Sequence, residues 1–173
     1  MPPELDQVKE RLPDHARDLR INLGVLTLST ALSPEQAWAI AVACARASRS
    51  PELVRAVEAD APLEPTALAA ARGAAAIMGM NNVYYRFVHF MGEGSEYGHM
   101  PARLRMQIIG NPGIDKLDFE LACLAASAIA GCESCVRAHD ASARERGATR
   151  EMIQDAVRIA AVLNGVATAL SRG

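Results

Sequence analysis

The chain has 173 residues, half of them hydrophobic but only 4 % aromatic, and a formal net charge of -2. That length suits one domain with a sizeable core, or two small repeats that share one, and an interior with so few rings must be built from alanine and aliphatic side chains, as in closely packed helices. A pI near 6.1 supplies no basic footprint for nucleic acid, which excludes DNA and RNA as partners.

Nearly every segment has helical rather than alternating periodicity, so the expected fold class is all-α. Leu5 to Leu12 and Asp14 to Leu26 read as amphipathic helices separated at Pro13, with Leu19, Ile21, Leu23 and Leu26 supplying apolar contacts that clamp the main bundle. Ser33-Pro34-Glu35-Gln36 joins an N-cap serine, a proline at the first helical position and a capping-box glutamine, which predicts a helix to about Ala47. Ser50-Pro51-Glu52 starts another. Pro65 to about Phe90 reads as one long helix, its apolar character interrupted by Asn81 and Asn82. The stretch from Gly92 to Gly98, dense in glycine and polar residues, is the clearest loop. A short helix is expected over Ala102 to Ile109, a turn at Asn111-Pro112-Gly113, and then helices over about Lys116 to Ala130, Cys132 to Glu145 and Glu151 to Leu170, the last capped by Thr149.

Laying Trp38 to Ala56 over Glu120 to Ala138 aligns Val54-Arg55-Ala56 with Val136-Arg137-Ala138. The alignment suggests a single domain over 1–173 with an internal repeat of about 34–91 and 115–171. Trp38 then stands where Glu120 does, and Ser50 and Leu53 replace two cysteines. One half keeps chemistry and the other keeps packing.

The chemistry concentrates in Gly131-Cys132-Glu133-Ser134-Cys135-Val136-Arg137-Ala138-His139, with Glu120 upstream in an apolar run. Cysteines at i and i+3 share a helix face, and a histidine four residues beyond the second continues the stripe. A thiol reacts as its thiolate, which a helix start at Gly131-Cys132 favours and His139 assists by taking the proton. On helix-start reasoning alone, Cys132 is the favoured nucleophile. Glu120 needs a partner if buried; desolvation would raise its pKa, while a histidinium neighbour would lower it. Cys44, Cys123, Met78 and Met80 read as core.

No stretch reaches roughly 18 uncharged apolar residues, so no membrane association is expected. The N-terminal Met1-Pro2-Pro3-Glu4 lacks the pattern of a secretory signal, and the expected location is cytoplasmic. In a reducing compartment a close cysteine pair is catalytic or metal-binding more often than a structural staple. A zinc site would use Cys132, Cys135 and His139 with Glu120 or His99, but no second close Cys or His pair accompanies them.

Glu120, Cys132, Cys135 and His139 form the pattern Glu-x11-Cys-x-x-Cys-x3-His, and with the phrases Ala74 to Arg86 and Leu104 to Ile114 the chain resembles the alkyl hydroperoxide reductase D family of the carboxymuconolactone decarboxylase-like superfamily. The resemblance implies an all-helical protomer of two related halves, assembled as a homotrimer. It implies an antioxidant peroxidase that reduces organic hydroperoxides and regenerates a partner peroxiredoxin, the C component of alkyl hydroperoxide reductase. Electrons would come from dihydrolipoamide on a lipoylated 2-oxoacid dehydrogenase subunit, with no tightly bound cofactor and no metal. By the same resemblance Cys135 is the sulfur oxidised, Cys132 closes a redox-active Cys132–Cys135 disulfide, and Glu120 and His139 relay the proton. Ser134 departs from the pattern, since several members carry a second histidine there, and a hydroxyl is no base near neutral pH. Glu133 beside it adds a negative charge that would raise a thiol pKa. The rival readings are a protein disulfide reductase with little direct peroxidase activity, and a decarboxylase-like superfamily member.

Overall fold

A computed structural model describes residues 2–92 and 94–171 of the chain, without the side chain of Thr27. The described residues are helical with no strand among them, so the fold is all-α. In chain order the helices are α1 (Pro3–Arg11), α2 (Arg17–Asn22), α3 (Val25–Leu28), α4 (Pro34–Ala47), α5 (Pro51–Asp60), α6 (Pro65–Met91), α7 (Gln107–Gly110), α8 (Lys116–Ala130), α9 (Glu133–Glu145) and α10 (Arg150–Leu170).

Two helices form the centre. Ala37 through Ala45 of α4 and Phe119 through Ser127 of α8 are buried at every position, the pattern of helices surrounded on all sides. α4 and α8 pack on each other, and α6 and α10 each pack on both. The small side chains of Ala39, Ala41, Ala43, Ala122, Ala125 and Ala126 let the backbones approach, while Phe119, Ile40, Leu121 and Leu163 fill the gaps between them. Each such large side chain contributes about 1.5–3 kcal/mol by leaving water. α9 lies against α8 and α6, and α5 against α4 and α1. Thus α4-α5-α6 and α8-α9-α10 follow the same order of central helix, shorter helix and long helix.

Local signals set most of the boundaries. Ser33 Oγ accepts from the Gln36 N–H at 3.1 Å while the Gln36 side chain accepts from the Ser33 N–H at 3.0 Å, the capping box that starts α4. Ser50 and Thr149 cap α5 and α10 through their hydroxyls.

Three stretches differ from expectation. Asp14 to Leu26 is not one helix but a 3₁₀ turn (Asp14–Ala16), α2 and α3, broken around Leu23-Gly24, where glycine is a poor helix former. Leu23 and Leu26 are buried there, but Ile21 is 78 % exposed and makes no core contact. Helix over Ala102 to Ile109 is confined to α7, because Arg103 takes a left-handed φ of 52° that interrupts any continuous helix through it. Of the loop expected between Gly92 and Gly98, the described part turns into a 3₁₀ segment at Glu96–His99, and Glu93 lies outside the described residues.

α10 is long and apolar enough by composition to cross a bilayer, although it contains the Arg158–Asp155 ion pair and has no run of 18 uncharged residues. Its apolar side is spent in the bundle: Ile159, Leu163 and Val166 are fully buried.

Candidate active site

Gly131 ends α8 in the left-handed region at φ 67°, where the Gly131 N–H bonds to Ala128 C=O and the Cys132 N–H to Ser127 C=O. The chain reverses there, and Cys132 becomes the N-cap of α9. Cys135 follows in the first turn of that helix, and Cys135, His139 and Ala143 make its buried stripe. Cys132 is fully enclosed and Cys135 is 6 % exposed. Both are free thiols, as are the buried Cys44 and Cys123 in the core.

Across from α9, α8 presents Glu120. His139 Nδ1 stands 2.6 Å from Glu120 Oε2, and Lys116, one turn before Glu120, approaches its other oxygen at 3.7 Å. Burial pushes the Glu120 carboxyl up, yet the His139 hydrogen bond and charge, with Lys116, outweigh it and hold the group below its ordinary value. The expectation that these opposing effects meet at Glu120 is therefore resolved in favour of the carboxylate.

The second imidazole nitrogen has a partner that sequence reasoning missed. His139 Nε2 lies 3.1 Å from Met78 Sδ, and Ser127 Oγ stands 3.3 Å from the same sulfur. Met78 is indeed core, at 1 % exposure, but it is also the thioether on which the ring rests. One polar neighbour of the Cys135 thiol is the Asn81 backbone carbonyl, 3.9 Å from Sγ, a weak contact.

The helix-start argument for a stabilised thiolate at the pair does not hold at Cys135. Burial, followed by the hydrogen bond and charge of Cys132, pushes its thiol up to about 12, against smaller opposing contributions from Ser134 and the Arg86 guanidinium. The resting Cys135 is a neutral thiol. Glu133, whose charge was expected to raise a thiol pKa, is engaged at the surface by Arg137 at 2.9 Å and His89 at 3.5 Å. Ser134 Oγ lies 3.5 Å from Cys132 Sγ, so the hydroxyl contacts the pair without supplying a base. Arg86 reaches from α6 to donate to the Ala130 carbonyl at 2.6 Å, closing the end of α8 beside the cysteines.

Cys135 opens on a cavity of about 260 Å³ that His139, Ser134 and Asn81 also border, with Tyr85, Met106 and Ile109 as its apolar wall. Cys132 is not on that wall. Among the described residues no three His, Cys, Asp or Glu side chains converge as a metal site, and His99 is exposed in its 3₁₀ segment. A dithiol, a buried carboxylate-imidazole pair and a mostly apolar cavity remain. That combination can exchange protons and form or break a disulfide next to an apolar ligand.

Residues 95–172 match the Carboxymuconolactone decarboxylase family. Over 168 residues, 96 % of the chain, the sequence is 51 % identical to the alkyl hydroperoxide reductase AhpD of Rhodospirillum centenum, covering 90 % of that protein. The chain belongs to the AhpD family. The AhpD of Gluconacetobacter diazotrophicus is 54 % identical over the same share of the chain and 92 % of its own length. That of Streptomyces avermitilis is 49 % identical, with 94 % of its length covered. AhpD relatives thus match both the half that carries the cysteines and the half that carries Met78, Asn81 and Arg86.

Proposed function

We propose that this AhpD-family protein is an antioxidant, peroxide-reducing oxidoreductase that works through a dithiol/disulfide cycle at Cys132 and Cys135. The single observation that carries the reading is the placement of Cys135: of the two thiols, it is the one bordering the cavity, and it does so beside His139, whose ring is oriented by Glu120. The Cys135 sulfur attacks the outer oxygen of a hydroperoxide, the O–O bond breaks, and the products are a Cys135 sulfenic acid and an alcohol. Because the thiol starts protonated, its proton must leave first, and His139 is the base within the same cavity wall. Cys132 then attacks the sulfenic sulfur, releasing water and forming the Cys132–Cys135 disulfide. Two electrons and two protons from dihydrolipoamide restore both thiols.

The finer assignments follow the family. The electron donor is the lipoyl group of a 2-oxoacid dehydrogenase subunit, the partner served is the peroxiredoxin component AhpC, and the location is cytoplasmic. The protein works as a homotrimer of two-halved protomers. Support for association comes from α6, where Val83, Phe87 and Phe90 recur at helical spacing on one exposed face.

The test is dihydrolipoamide-dependent reduction of an organic hydroperoxide by the wild type, Cys135→Ser and Cys132→Ser. Both variants are expected to lose turnover, and equal turnover in all three refutes the cycle. The adjacent Cys132 and Cys135 thiols, with Cys135 at the cavity, also fit one second reading, a disulfide reductase for a single partner with little direct peroxide turnover. Fast reduction of an oxidised peroxiredoxin alongside negligible hydroperoxide consumption would decide for it.

A further inference from the structure

Two adjacent asparagines of α6 are buried, Asn81 at 4 % exposure and Asn82 at 3 %. Their amides are in different situations. Asn82 Oδ1 accepts from Ser127 Oγ at 2.9 Å and so ties α6 to α8. Asn81 Oδ1 is enclosed and has no hydrogen-bond partner among the described residues. A buried amide oxygen without a partner costs stability, so its presence asks for a group that completes it. Asn81 also borders the cavity onto which Cys135 opens, and its backbone carbonyl lies 3.9 Å from the Cys135 sulfur.

We propose that Asn81 is a substrate-binding residue: its side-chain amide holds the O–O–H group of an alkyl hydroperoxide in the cavity beside Cys135, while Tyr85, Met106 and Ile109 take the alkyl group. This deepens the peroxidase reading and rests on it. A hydroperoxide carries one O–H donor and acceptor oxygens, and a primary amide offers an acceptor and donors in return, whichever way it is turned. The amide is also neutral. A carboxylate in its place would put a second negative charge beside a sulfur that must become an anion, whereas the amide positions the peroxide without that penalty. A cavity of about 260 Å³ with an apolar wall suits a compact alkyl group.

The experiment compares the wild type with Asn81→Leu, which keeps the shape and removes the amide, and with Asn81→Ser, which keeps a smaller polar group. Reduced protein is mixed with tert-butyl hydroperoxide, quenched with acid and alkylated after denaturation, and the rate of Cys132–Cys135 disulfide formation is followed by mass. In parallel, the disulfide formed with diamide is reduced by dihydrolipoamide, and Tm is measured. Asn81→Leu is expected to slow oxidation at least about tenfold, with partial recovery in Asn81→Ser, because a hydrogen-bonding site deprived of its partner discriminates strongly. Its Tm should not fall, since an unsatisfied group has been removed. Oxidation at the wild-type rate in Asn81→Leu overturns the proposal, as does a Tm loss in both variants with both half-reactions slowed alike, which would mark the amide as structural. A wild type that cycles with diamide and dihydrolipoamide but is not oxidised by the hydroperoxide overturns the peroxidase reading itself, and this assignment with it.

Discussion

His139 Nδ1 lies 2.6 Å from Glu120 Oε2, a contact between α9 and α8 that is nine-tenths withdrawn from solvent on both sides. Each group satisfies the other's buried polar atom, and Lys116 at 3.7 Å adds a positive neighbour to the carboxylate. The imidazole is further held by Met78 Sδ at its other nitrogen, so the ring has little freedom to turn.

Breaking that pair from either side leaves a buried polar group uncompensated. Glu120→Gln and His139→Ala are each expected to lower stability by roughly 2–4 kcal/mol, and the double variant by about 1–3 kcal/mol less than the sum. Urea unfolding of the four proteins measures the coupling. Strictly additive losses would show that the contact carries no energy.

The Cys135 thiol, pushed up to about 12 by burial and then by Cys132, should resist alkylation. Iodoacetamide at pH 8 is expected to modify it at least roughly a hundredfold more slowly than free cysteine, with the rate still climbing above pH 10. Arg86→Met should slow it further by removing the cation that favours the thiolate. Site-resolved peptide mass spectrometry provides the reading, and a rate equal to that of free cysteine would contradict the assignment.

Glu58 supplies a pH-dependent contribution far from the cysteines. Arg72 hydrogen-bonds to it, and with Arg46, against the effect of burial, lowers its carboxyl from 4.5 to about 2. A depressed acid contributes stability that is present above its unfolded pKa and lost as pH falls through the folded one. Glu58→Gln is therefore expected to cost about 1–2 kcal/mol at pH 7, with the difference from wild type closing between pH 4.5 and about 2. Thermal melts across that range test it, and a constant difference would refute the linkage.

Gly131 sits at φ 67° where α8 turns into the cysteine motif. Gly131→Ala should cost about 1 kcal/mol through the left-handed backbone, and Gly131→Asn less. Equal urea midpoints for all three would show that the turn tolerates a Cβ.

The capping box at Ser33 and Gln36, the Thr149 cap and the apolar runs of α4 and α8 were legible because helix starts and helix burial are written in local residue types. The break near Gly24 and the shortness of α7 were not, because periodicity alone does not report where a backbone leaves the helix. The roles of Met78 and Asn81, noted only as core and as a break in an apolar helix, were not legible for a different reason. As single residues in an alanine-rich helix they carry no signal of which neighbour they meet.

The sequence by itself determined the helical class and the spacing that sets Cys135 and His139 on one face, since an i, i+4 relation is fixed by the helix repeat. Only the tertiary structure decided the rest. Whether Glu120 reaches His139, which thiol borders the cavity, that Met78 supports the imidazole and that the Asn81 amide lacks a partner all depend on how α6, α8 and α9 pack. The protonation of Cys135 depends on it too, because burial by neighbouring helices outweighs the local advantage of a helix start.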